Sequence, residues 1–153
     1  GAASWEEEVA RAAFRLAQNR HGAQILLLGS GVPASRQEAL LDAAGCPFTC
    51  DVKAEVLQSF FHGHGPLHDG AVLIRDGFVL GARVPLYISW SERMEGHGTR
   101  HYSAKQFCAS FHPNVAAVAV SEETGSVSFF FGNDRQEVAS EPELASLIRK
   151  HAA

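Results

Sequence analysis

Long apolar runs, basic clusters and metal-type cysteine spacings are all missing from this 153-residue chain. No stretch approaches the ~20 apolar residues that a transmembrane helix requires. None has the make-up of a secretory signal, so membrane contact is not expected of this segment. Lys and Arg number 13 against 17 Asp and Glu, for a net charge of −4, and no Lys/Arg run forms a stripe. A surface that holds nucleic acid by neutralising phosphates is therefore not expected. Cysteine is scarce as well, with three residues. Cys46 and Cys50 stand four apart and Cys108 is remote, which fits neither a CxxC zinc site nor a disulfide framework. Reduced thiols in a cytosolic-type domain are the expectation. The phosphate loop GxxxxGK[ST] is absent, and Gly29-Ser30-Gly31 runs into Val32-Pro33 without the third glycine of a dinucleotide fingerprint.

What is present is an ordinary globular composition, 46% hydrophobic and 20% charged, at a length suited to a single domain spanning residues 1–153. The start, Gly1-Ala2-Ala3, lacks Met and reads as an excised domain, so an anchor or further domain could adjoin it in the full-length protein. Ser4 with Glu7 forms a capping-box signal and predicts a helix over 5–19. The apolar run 23–28 predicts a buried strand. Ser35 with Glu38 opens a helix to about 44, and a further helix is expected over 53–61. Strands are predicted over 70–74 and 78–85 around Arg75-Asp76-Gly77, because Asp-Gly between apolar runs is a strong hairpin signal. A helix over 103–111, strands over 115–120 and 126–131, and a terminal helix over 141–151 complete the pattern. Alternating strands and helices followed by hairpins imply an α/β domain, a mixed sheet flanked by helices.

Three polar clusters stand at predicted strand or helix ends. The first, His62-Gly63-His64-Gly65-Pro66-Leu67-His68-Asp69-Gly70-Ala71, leads directly into a strand. Glycines allow close backbone approach to a ligand. His68 and Asp69 offer an imidazole and a carboxylate, suited to a divalent metal or to proton transfer. A polar loop whose Asp caps a neighbouring amide would read the same way. The second, Gly96-His97-Gly98-Thr99-Arg100-His101-Tyr102-Ser103, lies just before a predicted helix. Backbone amides, a hydroxyl and a guanidinium make a phosphate site there, or else a Thr N-cap beside a surface Arg. The third, Val120-Ser121-Glu122-Glu123-Thr124-Gly125-Ser126, is by itself a solvated acidic turn. Together the three contain the parts of metal-assisted nucleotidyl transfer. A zinc-hydrolase reading of His62, His64, His68 and Asp69 is the poorer fit, because Pro66 and Leu67 interrupt its usual spacing.

These residues resemble the diadenylate cyclase domain family. Pro66-Leu67-His68-Asp69-Gly70-Ala71-Val72 is similar to its PLHDGAV motif, Gly98-Thr99-Arg100-His101 to the start of GTRHR, and Val120-Ser121-Glu122-Glu123-Thr124-Gly125 to VSEETG. Arg20-His21-Gly22-Ala23 and Ser59-Phe60-Phe61 also stand where the family has counterparts, so the resemblance covers a core of about 20–132. It implies ATP as substrate, with two copies of the domain meeting face to face to make cyclic di-AMP and two pyrophosphates. It further implies Asp69 as the catalytic group at the 3′-hydroxyl, and Mn2+ or Mg2+ held by His68 and Glu123. Gly70, Ala71, Gly98, Thr99, Arg100, His101, Ser121 and Glu122 would bind the nucleotide. A cytoplasmic location follows from the same reading. One departure stands out: Tyr102 occupies the place of the family's second Arg, and a phenol cannot supply the planar charged fork that phosphate favours. The alternatives are a sibling that binds nucleotide as a sensor without turnover, and the metal-dependent phosphohydrolase.

Overall fold

The computed structural model describes residues 3–42, 46–61, 71–84, 99–111 and 113–153, with the backbone alone at 46–48, 83–84 and 99–102. Helix α1 (Trp5–Gln18) starts where the capping box places it: Ser4 accepts from the Glu7 amide at 3.3 Å. Strand β1 (Ala23–Leu28) follows, then α2 (Ala34–Asp42), β2 (Cys46–Asp51), α3 (Ala54–Phe60), β3 (Ala71–Arg75) and β4 (Phe78–Val84). The second half is α4 (Thr99–Phe111), β5 (Val115–Val120), β6 (Val127–Phe131), β7 (Asp134–Val138) and α5 (Glu141–Ala152). The strands form one sheet in the order β2-β4-β3-β1-β5-β6-β7. Among the described strands only β1 and β3 run parallel; the other neighbours are antiparallel. The expected mixed sheet flanked by helices is thus observed.

Alternation along the strands divides the core in two. Ile25, Leu27, Val72, Ile74, Ala116 and Val118 face α1, α3 and α5. Leu26, Leu28, Ala71, Leu73, Ala117 and Ala119 face α2 and α4, where Leu40, Ala104, Phe107 and Cys108 meet them. Covered on both sides, β1 and β5 are buried at every position, which is why both read as nearly continuous apolar runs.

Two strands depart from the sequence expectation, and both lie at sheet edges. β2 occupies the Cys46–Asp51 segment around Pro47, which lacks an alternating apolar pattern; an edge strand tolerates a proline because one side of its backbone needs no partner. β7, Asp134-Arg135-Gln136-Glu137-Val138, is exposed at its first four positions. Charged side chains there protect an open edge from further pairing. Helix α4 also begins earlier than expected, at Thr99 rather than Ser103, so Thr99, Arg100, His101 and Tyr102 form its first turn.

Two glycines of the Gly29-Ser30-Gly31 loop have a packing reason. The Gly29 amide donates to the Asn114 carbonyl at 2.7 Å, and a Cβ at Gly31 would come within 2.6 Å of the Asn114 side chain. This loop sits at the C-terminal end of β1, away from the polar clusters, and is closed further by Arg75 donating to Gln37 and to the Ser30 carbonyl.

Candidate functional site

The register places the described ends of the elements that adjoin the clusters at one end of the sheet. β1 pairs in parallel with β3 through Ile25 and Val72, so Ala71 lies level with Gln24 near the start of β1. On the other flank Ala23 pairs with Val120, the last residue of the antiparallel β5. The strand that follows Asp69-Gly70 therefore starts where the strand that precedes Ser121-Glu122-Glu123 ends, with β1 between them. The third segment arrives through a side chain: Gln24 Nε2 donates to Ser103 Oγ at 2.9 Å, both residues 4% exposed, which ties α4, at the residue just after its first turn, to the N-terminal end of β1. Segments 17 or more residues apart in sequence share this one sheet end because two parallel strands and one antiparallel strand present it together.

Of the predicted nucleotide residues, Ala71 is fully buried at the start of β3 on the α4 side of the sheet. Thr99, Arg100 and His101 open α4. Ser121 is half-buried, and Glu122 and Glu123 are exposed, in the turn after β5. His62, His64, His68, Asp69, Gly70 and Gly98 lie outside the described residues. Among the described residues no group of three or more His, Cys, Asp or Glu side chains comes together in a way that could hold a metal ion.

The acidic turn is rigidly built. The Ser121 amide donates to the Ser126 carbonyl at 3.0 Å, and the Gly125 amide to the Ser121 carbonyl at 2.9 Å. Ser121 Oγ accepts from the Thr124 amide at 3.3 Å. Gly125 has φ +71°, a conformation that glycine adopts without strain. From outside, Arg20 reaches across and donates from Nη1 to the Glu123 carbonyl at 2.7 Å, itself in the left-handed region at φ 56°. A Cβ at Gly125 would meet Arg20 Nε at 2.9 Å, so the glycine also makes room for this clamp.

Helix α3, which leads toward the His62–Asp69 cluster, is fixed at its start by another helix. Its N-cap position, Lys53, makes no side-chain capping bond; instead Glu8 Oε2 of α1 accepts the Ala54 amide at 3.0 Å. A carboxylate at a helix N-terminus satisfies an otherwise orphaned donor and complements the helix dipole. Sequence reasoning missed Glu8 and Gln24. The signal for Gln24 was visible, as the one polar residue in the run Ala23-Gln24-Ile25-Leu26-Leu27-Leu28. Glu8 carried no local signal, since its partner is 46 residues away.

Two cysteine thiols are shifted by their surroundings. Burial pushes the Cys108 thiol up to about 12, with Sγ directed at the Phe130 carbonyl at 3.4 Å. Burial and, to a smaller extent, the Asp51 charge push the Cys50 thiol up. Both cysteines are free, as expected; the Cys46 side chain lies outside the described set.

The fold is that of an α/β domain, and comparison with known proteins gives its family. Residues 10–135 match the DisA bacterial checkpoint controller nucleotide-binding family, DAC, and the chain belongs to that family. It is 30% identical over 122 residues to the cyclic di-AMP synthase CdaS of Bacillus subtilis (strain 168), covering 80% of this chain and 56% of that protein. It is 33% identical over 117 residues to the diadenylate cyclase CdaS of Bacillus thuringiensis (strain BMB171), covering 74% of this chain and 54% of that protein. A crystal structure of a double mutant of DacA from Staphylococcus aureus superposes with a TM-score of 0.83 at 26% identity, covering 96% of this chain and 94% of that one. The chain thus spans a little over half the length of these two curated relatives. No helix among the described residues is long and apolar enough to cross a membrane.

Proposed function

We propose that this chain is the nucleotidyl-transferring domain of a diadenylate cyclase, converting two ATP molecules into cyclic di-AMP and two pyrophosphates. The observation that carries the reading is the convergence at the N-terminal end of β1 of the start of β3, the end of β5 and the first turn of α4. Membership of the family and the names of the relatives support it.

In this scheme Gly70 and Ala71 line the nucleotide. Gly98, Thr99, Arg100 and His101 grip the phosphates at the start of α4, where unpaired backbone amides and the helix dipole favour negative charge. Ser121 and Glu122 border the same space. Asp69 orients the ATP 3′-hydroxyl and receives its proton. The O3′–Pα bond forms as the bond from Pα to the bridging oxygen of pyrophosphate breaks. Two such transfers in opposite directions close the ring, so a second copy of the domain must face the first, in a pair that need only be transient. This arrangement supplies the in-line approach, and the Arg100 charge offsets negative charge developing at phosphorus.

The donor set of His68 and Glu123, an imidazole and a carboxylate, is compatible with Mn2+ or Mg2+. Such an ion, when bound, would neutralise triphosphate charge and polarise the phosphoryl oxygens. A cytoplasmic location, where ATP is abundant, fits the reading.

The test is incubation of the domain with ATP and Mn2+, followed by liquid chromatography–mass spectrometry. Cyclic di-AMP and pyrophosphate are expected, with Asp69→Asn lowering the rate at least 100-fold, within the range of effects of losing a positioned base. ADP and phosphate as the sole products would refute it, and ATP binding without turnover would assign the sensor role instead.

A further inference from the structure

We propose that Gln24 is a positioning residue for nucleotide binding, acting through Ser103 to set the first turn of α4; the inference rests on the nucleotide reading above. β1 is apolar and buried at all its other positions, so an aliphatic residue at position 24 would fit its surroundings. A buried amide is costly to desolvate unless it is bonded, and its presence therefore reflects a geometric requirement rather than a packing one. Gln24 meets that requirement by donating to Ser103 Oγ at 2.9 Å across the boundary between sheet and helix.

The consequence is local to the start of α4. Farther along, Ala104, Phe107, Cys108 and Phe111 form the apolar stripe that holds the helix on the sheet. Such a stripe fixes the distance of the helix from the sheet, but apolar packing tolerates small rotations and slides. A hydrogen bond is directional, and this one fixes rotation and height at one residue. Ser103 follows Thr99 by four residues and Arg100 by three, the spacings that share a helix face. Whatever sets Ser103 therefore sets the backbone positions of both candidate phosphate residues. The anchor is also on the right strand: Ala23, beside Gln24, pairs with Val120, one residue before Ser121. Gln24 thereby references the start of α4 to the strand that also holds the start of β3 and the end of β5.

The experiment compares Gln24→Leu with the unaltered chain in three measurements: thermal unfolding, ATP affinity by calorimetry, and amide hydrogen exchange resolved along α4. Leucine adds apolar burial but takes one donor from the buried Ser103 hydroxyl, so the two effects oppose and the unfolding midpoint is expected to change little. ATP Kd is expected to increase about fivefold, on the order of 1 kcal/mol at 1.4 kcal/mol per tenfold. Amides at 102–104, the first that are bonded within the helix, should exchange faster while those at 107–111 stay protected. A merely structural Gln24 predicts that affinity follows stability, so unchanged Kd in a folded variant would overturn the proposal. Gln24→Met, also unable to donate, serves if the leucine variant does not fold and is held to the same outcomes. If the unaltered chain binds no ATP, the nucleotide reading fails and this positioning role with it. The exchange data then separate the two failures, because faster exchange confined to 102–104 would still establish the mechanical anchor.

Discussion

Replacing Glu8 with alanine should destabilise the fold by about 2 kcal/mol and loosen α3 before any other helix. The carboxylate stands in for a missing N-cap: Glu8 Oε2 accepts the Ala54 amide at 3.0 Å, and Ala54 is fully buried, so no water replaces the lost acceptor. Loss of a capping acceptor costs about 1 kcal/mol. Removing a partly buried negative charge from a helix N-terminus adds about 0.5–1 kcal/mol. The ion pair to Arg11, at 3.7 Å and partly exposed on the arginine side, adds little. For a domain of this size, 2 kcal/mol corresponds to a drop of roughly 4–8 °C in Tm. Glu8→Gln keeps an oxygen in place and should cost roughly half as much. Urea unfolding of both variants, with amide exchange at Ala54–Leu57, tests the reasoning. A Glu8→Ala variant within about 0.3 kcal/mol of the unaltered protein would refute the capping role, since that is smaller than the weakest cap effect. Equal losses for Ala and Gln would show that charge, rather than the acceptor oxygen, is what matters.

Gly31→Ala should lose about 1–3 kcal/mol, because its Cβ would meet Asn114 Cγ at 2.6 Å in a closed loop. Adding Asn114→Ala should recover part of that loss in urea unfolding, and simple additivity would contradict the clash. Cys108 should resist alkylation at pH 8 in the folded protein and react once urea unfolds it. Its folded pKa of about 12 lies above the ordinary 9.0, so the neutral thiol favours the fold. That contribution is complete below pH 9 and is lost as pH rises toward 12. A stability profile for Cys108→Ala should therefore be flatter over that alkaline range than that of the unaltered chain, and an identical slope would refute the assignment.

The parts legible in the sequence were those whose signals are contiguous. β1 and β5 announced themselves as short apolar runs, Ser4 with Glu7 as a helix start, and Asp76-Gly77 as a hairpin turn, with both residues at positive φ. The motif resemblances likewise lie in short stretches and pointed to a family to which the chain belongs. β2 and β7 were illegible because edge strands need no two-sided apolar pattern. The start of α4 was misplaced because Gly98-Thr99 and the following polar residues read as a loop before a helix.

Residue types alone determined that this chain would carry carboxylates, imidazoles, a guanidinium and glycine turns in three separate clusters, since chemistry of that kind resides in the side chains. That the start of β3, the end of β5 and the first turn of α4 share one sheet end was decided by tertiary structure. It follows from strand direction, from the register of Ala23 with Val120 and Ile25 with Val72, and from one buried bond between Gln24 and Ser103. Register and direction are properties of pairs of distant segments, set by which faces can be buried together, and no local stretch of sequence contains them.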